Sequence, residues 1–143
     1  MFGPHLIAEM HNCSRDRLAD ANRLKEILNV LPGKMGMTKI TEPYVWQYSG
    51  MYPDDWGLSG IVIIAESHLS FHTFPDKGFM TVDIFSCKEF DSSFVMKYLA
   101  EIFEPESWDE QLIQRGREFP RSVTRAKLAL DGERQQASQA ILV

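Results

Sequence analysis

Three strand-length segments that follow one another with very short connections constrain the fold most strongly. Residues 58–65 and 67–74 are rich in aliphatic and aromatic side chains and are separated by Glu66 alone, and a Pro-Asp-Lys-Gly turn at 75–78 leads into residues 79–87. Such segments, bounded by turn residues, are typical of β-strands. Parallel neighbours would need a crossover of a dozen or more residues, so these strands are predicted to be antiparallel.

An amphipathic helix is predicted on each side of this unit. Apolar residues recur at helical spacing over residues 16–31, and Pro32-Gly33 is expected to end that helix. Asp91 is the expected N-cap of the second helix. The apolar face of that helix consists of Phe94, Val95, Tyr98, Leu99, Ile102 and Phe103.

Further strands are predicted at residues 5–12, 37–49 and 107–118, and the uninterrupted apolar run at 61–64 predicts a strand covered on both faces. The resulting order of elements predicts an α+β fold, a two-layer sandwich in which a largely antiparallel sheet carries helices on one face. The other face of the sheet would be exposed unless something covers it.

The pattern fades after Pro120. We therefore expect one folded domain over residues 1–118, followed by a C-terminal surface helix or mobile tail over residues 119–143.

Composition narrows the functional classes. The chain has 143 residues, a formal net charge of −5 and two cysteines. The negative charge argues against nucleic-acid binding, and no apolar run approaches the ~20 residues of a membrane span. No signal peptide is recognised, so a cytoplasmic location with both thiols reduced is expected. The histidines and cysteines lack the spacing of a metal site, and none is expected.

The predicted hairpin places a thiol beside one particular peptide bond. If the turn occupies residues 75–78, Phe74 pairs with Phe79, and Cys87 then falls opposite Glu66 and next to Ser67. Side chains of directly paired residues lie ~5 Å apart. The register therefore predicts that Cys87 lies close to the Glu66–Ser67 bond.

His72 is too far along the same strand to join that group. It follows Ser67 by five residues, which corresponds to ~16 Å in an extended chain. If His72 and Ser67 belong to one site, the simplest arrangement takes His72 from a second copy of the chain. A two-fold dimer provides such an arrangement and would also cover exposed sheet surface.

One segment runs from Gly57-Leu58-Ser59-Gly60 through Glu66-Ser67-His68 to His72-Thr73-Phe74-Pro75, and it is followed by Asp83-Ile84-Phe85-Ser86-Cys87. This segment resembles the prokaryotic S-adenosylmethionine decarboxylase proenzyme family. The opening His5-Leu6-Ile7-Ala8-Glu9 and the late Arg115-Gly116 are also similar to it. The resemblance extends over about residues 4–118, and its centre is specific because the Glu-Ser-His triplet, the histidine and the cysteine all match.

The resemblance implies a self-processing enzyme. Ser67 Oγ would attack the Glu66 carbonyl, and β-elimination would then release a β chain of 66 residues. The remaining α chain of 77 residues would begin with a pyruvoyl group derived from Ser67. Its carbonyl would serve as the electron sink for decarboxylating S-adenosylmethionine to the aminopropyl donor of spermidine synthesis.

Roles for individual residues follow from the same resemblance. Ser67 becomes the pyruvoyl group, His72 takes the proton in the elimination, Ser59 assists processing by hydrogen bonding, and Cys87 protonates the product carbon. The active site is implied to form across the interface of a homodimer of processed protomers.

Substrate-binding residues are implied less directly. Glu9 and Glu66 are candidates for contacts with polar groups of the substrate. Asp76 stands where the family usually has a glutamate that binds ribose hydroxyls, and it is shorter by one methylene. Tyr52 or Trp56 would replace the family's phenylalanine that stacks on adenine, in a loop that is two residues longer here.

Two alternatives remain open at this point. Relatives with a similar processing motif decarboxylate ornithine or arginine, and the additional carboxylates Asp54 and Asp55 would suit such a cationic side chain. The other alternative is an unprocessed, non-catalytic binding homologue.

Overall fold

A computed structural model describes residues 3–116 of the chain, and the predicted residues 119–143 lie outside them. The described part contains a seven-stranded sheet of order β2-β4-β5-β6-β1-β7, with β3 beside β4, and every pairing is antiparallel. The strands are β1 (Gly3–His11), β2 (Thr38–Lys39), β3 (Tyr44–Ser49), β4 (Trp56–Ala65), β5 (Ser67–Phe74), β6 (Phe79–Ser86) and β7 (Ser107–Arg115). The helices are α1 (Arg15–Leu18), α2 (Ala21–Lys34) and α3 (Ser92–Phe103).

The predicted hairpin register is confirmed. Phe74 pairs with Phe79, His72 with Thr81 and Ser67 with Ser86. A single 3-10 turn over Pro75–Lys77 joins the two strands, and Gly78 closes it with a φ of 61°, which glycine adopts without steric cost. Residues 66 and 87 are consequently the first positions beyond the paired ends of β5 and β6.

The α+β sandwich with helices on one face is also confirmed. Alternate side chains of the central strands point toward the helices and are buried, as the period of two requires for a half-covered sheet. The buried aliphatic and aromatic core comprises Leu6, Leu24, Ile27, Leu28, Leu31, Val62, Ile64, Leu69, Phe71, Val82, Ile84, Val95, Leu99 and Phe103, among others. No helix within residues 3–116 is long and apolar enough to cross a bilayer.

The first predicted helix is wrong in its bounds. It consists of α1 and α2, separated because the side chain of Asp20 accepts a hydrogen bond from the backbone N–H of Arg23 and so caps α2. Pro32 does not end α2, which continues to Lys34. Pro32 has no N–H to donate to the carbonyl of Leu28, so α2 gives up one hydrogen bond there, and the proline is buried.

Three strand predictions also need correction. The segment 37–49 forms two strands, β2 and β3, since Pro43 lies between them and cannot donate to a ladder. The last strand ends at Arg115 within the described residues, and residues 117–118 lie outside them. The run at 61–64 is not covered on both faces, because Ile63 is 37% exposed in the single chain.

The sheet face opposite the helices, which we call the open face, has no cover in one chain. Directly paired residues lie on the same face, so the strand registers define rows across it. One row consists of Trp46, Ser59, His72, Thr81, Glu9 and Asp109. Large apolar side chains are exposed on the same face, including Ile7, Tyr44, Trp46, Tyr48, Ile63 and Ile113.

The core assignment predicts a contrast between two leucine truncations. In a Ser67→Ala background, which keeps the chain whole under the expected cleavage, Leu69→Ala removes a fully buried side chain. It should lower the free energy of unfolding by about 2–5 kcal/mol. Leu112→Ala removes the same atoms from a side chain that is 47% exposed. Urea denaturation should show a loss for Leu112→Ala that is less than half of the Leu69→Ala loss, and equal losses would contradict the assignment.

Candidate active site

Cys87 lies against the peptide segment that precedes Ser67. Its sulfur is 3.2 Å from the backbone nitrogen of Glu66, which donates to it, and 3.6 Å from the carbonyl oxygen of Ala65. These contacts follow from the register, because β4 and β5 are joined at Glu66 while β6 ends directly before Cys87. Ser67 has a φ of 129°, a backbone conformation that residues with a Cβ rarely adopt.

Ser59 and His72 form a second polar group on the open face. They are directly paired between β4 and β5, and Ser59 Oγ lies 2.8 Å from His72 Nδ1. Glu9 lies in the same row of the sheet, separated from His72 by Thr81 of β6. The pairing register of β4, β5, β6 and β1 thus brings Ser59, His72 and Glu9 to one level of the open face.

Asp76 lies at the opposite end of the hairpin from Ser67. Its Oδ1 accepts a hydrogen bond of 2.7 Å from Arg15 Nε, and its Oδ2 accepts one of 2.7 Å from Trp56 Nε1. The hydrogen bonds from Trp56 and from Arg15 hold the pKa of the Asp76 carboxyl below its ordinary value. The carboxylate therefore stays ionised and joins the first helix to the start of β4.

The loop between β3 and β4 forms a cavity next to Asp76. The cavity has a volume of about 540 Å³ and is lined by Gln47, Ser49, Gly50, Met51, Tyr52, Pro53, Asp55 and Trp56. Tyr52 is largely exposed there, whereas Trp56 is held by its bond to Asp76. An ion pair of 3.8 Å between Asp55 and Lys77 also links the loop to the hairpin turn.

Six of the predicted site residues therefore fall into two groups. Glu66, Ser67 and Cys87 lie at one end of the sheet, while Asp76, Trp56 and Tyr52 lie at the other. Strand β5 runs without interruption between the two ends, and its eight residues span ~23 Å. Ser59, His72 and Glu9 lie between the groups. One chain does not bring the two groups together.

A cluster that the sequence pattern does not reveal crosses the open face near Ser67. Asp83 Oδ1 lies 2.9 Å from His68 Nε2 and 2.9 Å from His5 Nε2. Arg115 donates to His5 Nδ1 at 3.3 Å, which leaves the proton of a neutral His5 ring on Nε2. Burial raises the pKa of Asp83, but the two histidines outweigh it and the net shift is downward. The predicted hairpin register gives the pairing of His68 with Phe85, whereas the pairing of Phe85 with His5 between β6 and β1 was not predicted.

Arg15 was missed as well. It is 61 residues from Asp76 in the sequence, and no local pattern indicates that the two are in contact. Within residues 3–116 no three histidine, cysteine or acidic side chains are grouped to hold a metal ion.

The match to a family model decides the family. The model described as S-adenosylmethionine decarboxylase matches residues 4–116. The chain belongs to the S-adenosylmethionine decarboxylase family. That family is pyruvoyl-dependent, and the pyruvoyl group is formed from a serine.

Individual relatives agree with the match. The chain is 35% identical over 116 residues to the S-adenosylmethionine decarboxylase proenzyme of Pyrococcus horikoshii, covering 80% of this chain and 79% of the relative. It is 35% identical over 119 residues to that of Archaeoglobus fulgidus, covering 81% and 99%. The crystal structure of the adenosylmethionine decarboxylase from Aquifex aeolicus superimposes with a TM-score of 0.65 at 29% identity, covering 79% of this chain and 89% of that one.

The two cysteines of this family member should differ in reactivity. Cys13 is buried, and burial raises the pKa of its thiol to about 11, so that the thiolate fraction at pH 8 is about one in a thousand. Cys87 is only half-buried. Iodoacetamide at pH 8, followed by peptide mass mapping, should therefore label Cys87 first. Earlier labelling of Cys13 would contradict the structure, and Cys13→Ala should leave the rate at Cys87 unchanged.

Proposed function

We propose that this chain is a proenzyme that cleaves its own Glu66–Ser67 bond and then decarboxylates S-adenosylmethionine. The observation that carries the proposal is the Cys87 sulfur, 3.2 Å from the nitrogen of Glu66, beside a serine with a φ of 129°. The family match favours this substrate over ornithine or arginine, and favours an enzyme over a non-catalytic homologue.

The cleavage uses only atoms of the chain and one water molecule. Ser67 Oγ attacks the carbonyl carbon of Glu66, the C–N bond breaks, and an ester links the two fragments while the nitrogen of residue 67 becomes an amine. Removal of the Cα proton then expels the Glu66 carboxylate and leaves dehydroalanine. Its imine tautomer reacts with water, releases ammonia and leaves a ketone at residue 67.

His72 and Ser59 are proposed to handle the proton of the elimination. A hydrogen bond of 2.8 Å between Ser59 Oγ and His72 Nδ1 fixes the imidazole ring and directs Nε2 away from Ser59. Histidine suits this task because its ordinary pKa lies close to neutrality. Ser59 is thus a positioning residue for the base.

A ketone at residue 67 fits its surroundings. The position lies at the end of β5, and the Cys87 thiol lies beside the adjoining peptide rather than inside the core. When formed, the pyruvoyl group supplies an electrophile that accepts the electrons released with carbon dioxide. Cys87 is proposed to donate the proton that the product carbon then needs, because its thiol carries an ionisable proton and lies against the peptide that precedes residue 67.

We further propose that the site is completed by a second copy of the chain. Residue 67 and Asp76 are separated by the full length of β5, ~23 Å, which is longer than a single nucleoside amino acid. A two-fold axis that lies parallel to the sheet and perpendicular to β5 packs the two open faces together and runs β5 antiparallel to the β5 of the partner, so that each residue 67 meets the far end of the other strand. The exposed apolar side chains of the open face would be buried in such a homodimer.

Substrate contacts are proposed at both ends of this composite site. Asp76 would accept hydrogen bonds from the ribose hydroxyls, and Tyr52 or Trp56 would provide an aromatic face for the adenine or the sulfonium. Glu9 and Glu66 would contact the polar groups nearer to the reacting carbon. We also propose that residues 1–118 form the catalytic domain and that the enzyme acts in the cytoplasm, where this biosynthetic chemistry takes place.

Cleavage is tested by the intact mass of the purified protein. The wild-type chain should yield two fragments of 66 and 77 residues, and Ser67→Ala should stay whole at 16.4 kDa, because only a side-chain hydroxyl at that position can start the reaction. Ser70→Ala is the matched control, since Ser70 lies on the open face of the same strand, and it should still cleave. A whole wild-type chain after prolonged incubation would contradict the proposal.

Sharing of the site between protomers is tested by complementation. His72→Ala and Cys87→Ala should each be inactive alone. Coexpressed and randomly paired, they should recover about a quarter of wild-type decarboxylation per site, because half of the dimers are mixed and each holds one intact site. Release of carbon dioxide from carboxyl-labelled S-adenosylmethionine is the readout. Recovery below a few per cent in verified mixed dimers would place both residues in one protomer.

A further inference from the structure

We infer that Arg15 is a specificity-determining residue, which makes Asp76 selective for a neutral diol over a cationic side chain. The inference rests on the proposed function, because it assigns Asp76 to the substrate pocket. Arg15 has no proposed role in the processing chemistry. It acts on Asp76 by direct contact, since Arg15 Nε lies 2.7 Å from Asp76 Oδ1.

The Asp76 carboxylate has hydrogen-bonding capacity left for a ligand. Each oxygen of an ionised carboxylate accepts about two hydrogen bonds. Arg15 occupies one position on Oδ1, and Trp56 occupies one on Oδ2. One position remains on each oxygen, and the two adjacent hydroxyls of a ribose can donate to them as a pair. The carboxylate is thus held in place for a diol by two groups on different elements.

The charge around Asp76 also distinguishes a neutral ligand from a cationic one. A bare carboxylate would attract the ammonium of ornithine or the guanidinium of arginine. Here the Asp76 charge is already paired with Arg15, and the other basic group at this turn, Lys77, is 3.8 Å from Asp55. Asp16, at 3.7 Å from Arg15 Nη1, has a side chain that is 96% exposed, so solvent screens its charge. A cationic side chain approaching Asp76 therefore meets a neutral pair.

Asp76 is a departure from the residue usual in the family. Asp76 is one methylene shorter than the glutamate that the resemblance leads one to expect at this position. The bonds from α1 and from β4 fix the shorter side chain at the junction of three elements, and its 26% exposure leaves room for a ligand. Arg15 thus compensates for the shorter reach of the Asp76 side chain by holding its carboxylate in a fixed orientation.

The experiment measures binding of two probes that cannot be decarboxylated, since neither has a carboxylate. Methylthioadenosine is a neutral nucleoside with a ribose diol, and agmatine is a cation with an amine and a guanidinium. Isothermal titration on the mature, full-length protein compares wild type, Arg15→Gln and Arg15→Lys. Arg17→Gln is the matched control, because Arg17 lies on the same helix and pairs with Glu104 at 3.5 Å instead.

Arg15→Gln should weaken methylthioadenosine binding and strengthen agmatine binding, each by roughly three- to ten-fold, as expected for one partly exposed charge-assisted contact. Arg15→Lys should keep the discrimination against agmatine, since it keeps the charge, and Arg17→Gln should match wild type. Unchanged affinities in Arg15→Gln, a parallel loss of both ligands, or a wild-type protein that binds neither probe would overturn the inference.

Turnover separates this inference from the proposed function. Wild-type protein that discriminates between the probes as expected but releases no carbon dioxide from S-adenosylmethionine would overturn the proposed function alone. Active wild-type protein whose Arg15→Gln variant binds both probes unchanged would overturn the role of Arg15 alone.

Discussion

The register of the β5–β6 hairpin is the constraint on which the remaining structure of the site depends. A turn of fixed length sets Phe74 opposite Phe79, and the period of two then determines the face of every residue in both strands. A slip by one residue would move His72 into the core and Leu69 onto the open face. Burial of Leu69 and Phe71 against the helices opposes that slip, so the core holds Cys87 against the Ala65–Glu66 peptide, directly before the Glu66–Ser67 bond.

The geometry of the sheet is also the reason for proposing a site shared between two copies of the chain. An antiparallel sheet positions residues along straight strands, so two groups at opposite ends of β5 stay apart however well the chain packs. The helices cover only one face, and the open face carries Ser59, His72 and Glu9 together with exposed apolar side chains. Covering that face with a second copy would both bury the apolar surface and unite the two groups.

Much of this arrangement was predictable from the sequence because it rests on short-range rules. The hairpin register, the Asp91 cap and the burial of alternate strand residues follow from turn length, capping chemistry and periodicity. The break between α1 and α2 was missed because the helical spacing of apolar residues continues through it. Asp20 nevertheless starts a new helix there, as the N-cap of α2. The contacts of Arg15 with Asp76 and of Asp83 with two histidines depend on tertiary placement, which local patterns do not encode.

The central claim is that a ketone forms at residue 67, and chemical detection of that ketone tests it most directly. Mature protein treated with phenylhydrazine should gain one hydrazone on the α chain, at its first residue, and borohydride reduction beforehand should abolish the gain. An α chain that begins with an unmodified serine, or a protein that takes up no hydrazine at all, would contradict the account.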